Sequence, residues 1–179
     1  MRTIGLVLVA ILALAAAFLF LTRPSAEERE QGAVAARGLR NAVLSREFVR
    51  ATGARPGVRA VVYDWQIGPG TASLVAFDDG STSVYLIPGG GFIGAGAHEN
   101  VRRAAAAFRD EAAKAFGQFH AVTEYPLPVK GYSTFYIVTD SSTLSSGPVR
   151  TSDLDAQGHP FAALGRLGQE VFAEVRKSR

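Results

Sequence analysis

The 179-residue chain contains no cysteine, one methionine, one tryptophan and only three histidines. Without cysteine there is no disulfide scaffold, no thiolate nucleophile and no thiolate zinc ligand. A large charge excess is missing too. Of 19 basic residues against 16 acidic ones, Arg2 and Arg23 fall in the first 23 positions, which leaves the remainder almost neutral at 17 against 16. The pI near 9.5 is therefore no sign of nucleic-acid binding, whose affinity comes from neutralised phosphates, and no nucleic-acid partner is expected. An apolar share of 47% with 20% charge also excludes a disordered polar chain. The length suits one domain of roughly 150 residues and a short extension.

What is present first is a long apolar run. Ile4 to Leu21 is 18 residues without a charge, and as a helix it would span roughly 27 Å, about a hydrocarbon core. The run exceeds the roughly 7–15 apolar residues of a cleavable signal peptide, and Pro24-Ser25-Ala26 puts proline where cleavage wants a small residue. The expectation is a transmembrane anchor over residues 1–23, a helical stalk over 24–38 and a single α/β domain over 39–179, with the lipid bilayer a partner of residues 4–21. A cleaved signal is the alternative. Arg23, Arg29, Arg37 and Arg40 beyond the span argue for a cytoplasmic domain, whereas a short basic start before an apolar run is the export arrangement. An extracytoplasmic, periplasmic domain is expected, with the cytoplasmic orientation as alternative.

Beyond the apolar run, Glu27 to Ala51 reads as a helix. Leu39, Val43, Leu44 and Phe48 lie on one face and Arg37, Arg40, Arg46 and Arg50 on the other. Val58 to Ile67 alternates as a strand, Thr71 to Phe77 is a second, and Asp78-Asp79-Gly80 turns the chain into a third, Thr82 to Ile87. Glu99 to Phe119 carries an apolar helical stripe through Val101, Ala105, Phe108, Ala112, Ala115, Phe116 and Phe119. Gly131 to Thr139 alternates again, a serine-rich turn follows, a fifth strand is expected near Pro148 to Ser152, and Leu164 to Val175 marks a last helix. The predicted fold is α+β: an N-terminal transmembrane helix, then a roughly five-stranded antiparallel sheet flanked by helices in the order α-βββ-α-ββ-α. Over residues 39–177 this order resembles that of profilin-like and roadblock-type small α/β modules. The resemblance is one of architecture and involves no motif. It implies a binding or dimerisation module rather than an enzyme.

Four patterns could carry chemistry. Gly89-Gly90-Gly91-Phe92-Ile93-Gly94 matches G-x-G-x-x-G after a strand, but the next helix starts about five residues late and no strand-ending acid follows about 20 residues on, so dinucleotide binding is not expected. A looser role is an anion or small-molecule site at Gly89, Gly90, Gly91, Gly94, Gly96, His98 and Glu99, with backbone amides turned toward a helix start. His98 and His120 flank one helix and His159 stands apart, so no metal site is expected. Asp153 to Gly158 matches an EF-hand loop at positions one, three and six but has Gln157 at five and Leu164 at twelve, which leaves at most a weak cation site. Ser133, Ser141, Ser142, Ser145 and Ser146 lack a G-x-S-x-G elbow and read as a polar turn. No cofactor is expected. The first expectation is an interaction module, tethered to the membrane, that binds a protein partner or itself through a sheet edge or helix face. The anion or small-molecule sensor is the alternative, and a hydrolase-type enzyme using His98, Glu99 or Asp64 as acid or base comes last.

Overall fold

The computed structural model describes residues 25–48 and 57–178. Helix α1 (Ala26–Leu44) starts at Ser25, whose hydroxyl accepts the Glu28 N–H while the Glu28 carboxylate accepts the Ser25 N–H. This reciprocal cap satisfies two amides that the first turn would leave unpaired. Four strands follow, β1 (Val58–Ile67), β2 (Gly70–Phe77), β3 (Thr82–Ile87) and β4 (Gly91–Phe92), then α2 (Glu99–Lys114). Strands β5 (His120–Val122), β6 (Tyr132–Thr139) and β7 (Thr143–Arg150) precede α3 (Ala162–Lys177). The strands form one sheet in the order β4-β3-β2-β1-β6-β7-β5, antiparallel throughout.

Alternation along β1 divides two cores. Val61, Tyr63 and Trp65 face α2 and α3, whose Val101, Ala105, Phe108, Leu164 and Val171 bury against them. On that face the ring of Tyr63 stacks on Trp65 at 4.8 Å and on Phe135 at 4.5 Å. Ala60 and Val62 face α1, which meets the sheet through Ala33, Ala36, Val43 and Leu44, while Tyr125 and Leu127 cover the rest of that face. Among the described residues both faces are thus covered, and the sheet ends in two edges, β4 and β5.

Several expectations need correction. Among the described residues the sheet has seven strands, not five, because β4 and β5 are two and three residues long and too short for periodicity to register. The second helix ends at Lys114, and Phe116–Gln118 form a 3-10 turn instead. Helix α1 is packed from Ala33 onward, ahead of Leu39, and Arg40 lies on its buried face rather than with the exposed arginines. The fold class of a transmembrane helix followed by a domain does not stand either. Among the described residues no helix is long and apolar enough to cross a membrane, and α1, the longest, carries six charged side chains in 19 residues. The single-pass localisation is corrected on the same finding. Residues 4–21, on which the expected span falls, lie outside the described residues.

Candidate functional site

The glycine-rich segment forms one edge of the sheet. Part of its backbone is bonded internally: Gly89 N–H donates to Leu86 O at 2.6 Å, and Gly90 O accepts the Leu86 N–H at 3.1 Å. The Ala97 and His98 N–H groups turn back onto Gly94 O and Ala95 O. Close approach accounts for Gly89, Gly91 and Gly96. A Cβ on Gly91 would lie 2.2 Å from Val84 O, one on Gly96 2.2 Å from Gly80 O, and one on Gly89 3.2 Å from Arg29 O of α1. His98 is exposed at the start of α2, and Glu99 pairs there with Arg102 at 2.5 Å. Asp64 is buried on the opposite face of the sheet, beneath α1, so the structure does not bring His98, Glu99 and Asp64 together. Asp153 and Asp155 belong to a 3-10 turn, Thr151–Asp155. Among the described residues no group of three His, Asp or Glu is placed to hold a metal.

At the other edge the geometry differs. Thr139 N–H bonds Ser142 O at 2.9 Å and closes the β6–β7 hairpin. Antiparallel ladders alternate, so Leu144 turns its backbone toward Ile137 on β6, while Thr143 and Ser145 turn theirs toward Val122 and His120 on β5. The N–H and C=O of Ala121 then point outward. Ala121 is exposed, as is Thr123 beyond it. Farther along, the same side of the sheet is closed by a bulge at Ser146-Gly147 and by Pro148, which cannot donate to a further strand. Among the described residues, the open part of this edge is therefore β5.

A cleft of about 550 Å³ adjoins it, lined by Arg46, Ala121 to Tyr125 and Ser141 to Thr143. Its walls are fixed by polar contacts beneath α1. Arg40, 1% exposed, donates from Nε and Nη2 to Asp64 Oδ2 at 2.9 and 2.5 Å, and Asp64 is fully buried. The same guanidinium lies over the Tyr136 ring and donates to Tyr125 O at 2.9 Å and Pro126 O at 3.4 Å. Tyr136 Oη adds a bond to Pro126 O at 3.1 Å, and Gln66 Nε2 donates to Pro128 O at 2.8 Å. The loop after β5 is thus held from inside the core. The end of α1 is fixed by Thr143 Oγ1, which donates to Leu44 O at 2.7 Å. This sets Arg46 on the cleft, where Nη1 donates to Asp140 O at 3.0 Å. Asp140 itself accepts from Arg59 Nε at 2.6 Å and from Gly57 N–H at 2.7 Å, and the Arg59 bond holds its carboxyl below the usual carboxylate range.

Burial, reinforced by the negative charge of Asp64, pushes the Tyr136 phenol up to about 12. The folded protein keeps this proton where the unfolded chain has lost it. Tyr136 therefore contributes stability that is present below pH about 10 and lost as pH rises toward about 12. Urea midpoints are expected to fall across that window, and to fall less in Tyr136→Phe. An equal decline in the two proteins would exclude Tyr136 as the cause.

Arg40 and Arg46 are the residues that sequence reasoning missed. Their partners, Asp64 and Asp140 O, lie 24 and 94 positions away, beyond any local pattern. No protein-family model matches the chain, and comparison with curated proteins and with solved structures finds no match either.

Proposed function

We propose that the protein is a binding module that takes an extended partner segment along the outer edge of β5, with side chains of that segment entering the adjoining cleft. The observation that carries this reading is the outward-facing backbone of Ala121, on a stretch of edge without proline, bulge or charged residue. Added strands gain affinity from main-chain hydrogen bonds and specificity from pockets for alternate side chains, and here the pocket wall continues the strand itself.

Ala121→Pro separates the edge from the rest of the molecule. Proline is accepted in edge strands where its missing N–H would face solvent, so the melting temperature is expected to stay within about 2 °C. Random-peptide display against the immobilised full chain should enrich sequences that bind wild type and bind Ala121→Pro at least about tenfold more weakly, a loss of about 1.4 kcal/mol. Selected peptides that bind both proteins equally would place binding elsewhere and overturn the reading.

A further inference from the structure

We infer that the segment taken at this edge carries a single carboxylate, bound by Arg46. The inference rests on the edge reading above and adds the chemistry of the partner. Arg46 is the only basic residue among the described residues that line the cleft. None of the ion pairs among the described residues includes it. Among the described residues its guanidinium hydrogen-bonds the neutral carbonyl of Asp140, which orients it without compensating its charge. The planar fork of arginine matches a carboxylate with two parallel N–H···O bonds. Ser141, Ser142 and Thr123 add polar surface around it. Glu124 on the same cleft disfavours a second negative group, which selects one carboxylate over a polyanion.

The backbone supplies an independent observation. Arg46 follows the C-cap of α1 with φ 67°, the only non-glycine residue among those described in the left-handed region. Glycine is the default there because it has no Cβ to strain. Strain of this kind recurs where a side chain is needed in place. Arg46 is only half-buried, so apolar packing does not account for it.

A carboxylate can come from an acidic side chain or from a chain terminus, and peptide pools of random neutral sequence, labelled at the N-terminus with an uncharged dye of the boron-dipyrromethene type, distinguish the two. One pool is amidated, one has a free C-terminus, and one is amidated with a single glutamate. Anisotropy with the full chain is expected to show one or both acid-bearing pools binding at least about tenfold tighter than the neutral pool, and the stronger pool names the source. Arg46→Gln should erase that preference and Arg46→Lys should keep part of it. Arg46→Gly, which relieves the left-handed backbone, should melt at or above the wild-type temperature while also losing the preference. A preference that survives Arg46→Gln overturns the inference. Equal binding of all three pools, abolished by Ala121→Pro, overturns the carboxylate and leaves the edge reading standing. No binding by any pool at millimolar concentration overturns both.

Discussion

Arg40→Ala is expected to lower the unfolding free energy by about 3–5 kcal/mol, the range for removing one partner of a buried ion pair. Asp64 has no exposure and its Oδ1 already lacks a partner; without Arg40 the whole carboxylate would be charged, dry and alone. The carbonyls of Tyr125 and Pro126 would lose the same donor, so the loop beside β5 should loosen together with α1. The pair itself is not expected to be the source of net stability. Desolvating both ions offsets most of their attraction, and exchanging the two for apolar groups of similar volume is often neutral or better. Arg40→Met combined with Asp64→Leu should therefore recover most of the loss. Urea unfolding of wild type, both single variants and the double variant measures this coupling. Two single losses that simply add in the double variant would contradict the assignment.

Gly91→Ala is expected to cost about 2–4 kcal/mol at the opposite edge. Two penalties combine there. The residue sits at φ +146°, a conformation that alanine rarely adopts, and its Cβ would lie 2.2 Å from the carbonyl oxygen of Val84. A residue at an incompatible φ destabilises by upwards of about 1 kcal/mol, and forced overpacking adds about 1–3. Backbone, not a flexible side chain, is in the way, so relief requires β4 to leave β3. Gly90→Ala, also at positive φ but with open space around its Cβ, should show the backbone penalty alone and lose roughly half as much. Equal losses by thermal melting would show that close approach plays no part at Gly91.

The β1–β2–β3 meander is legible from residue order, because Val61, Tyr63 and Trp65 alternate strictly and Asp79-Gly80 marks a turn. Strands β4 and β5 are not, since Gly91-Phe92 and His120-Ala121-Val122 are too short to show a period. The apolar stripe of α2 runs on to Phe119 in the sequence because Ala115 and Phe119 pack on the same core as the helix although they follow its end. Ser145 and Ser146 read as a polar turn, yet they belong to β7. There their hydroxyls accept the N–H groups of Gly147 and Phe135 at the bulge. Arg40 reads as part of a solvated face because a charge on an amphipathic helix is usually solvated; only folding brings Asp64 opposite it. The cleft is assembled from the end of α1, the residues after β5 and the β6–β7 turn. Each is unremarkable alone, and their meeting is a property of the strand order.

The central claim, that β5 presents an unpaired backbone for a partner strand, is tested most directly by residue-resolved amide hydrogen exchange on the full chain without any ligand. The amide of Val122 bonds Thr143 and that of His120 bonds Ser145 in the alternation derived above, whereas that of Ala121 faces outward. The expected result is rapid exchange at Ala121 between two slower neighbours. Protection at Ala121 with rapid exchange at His120 and Val122 would mean the opposite register, with the open backbone turned into the sheet, and would contradict the claim.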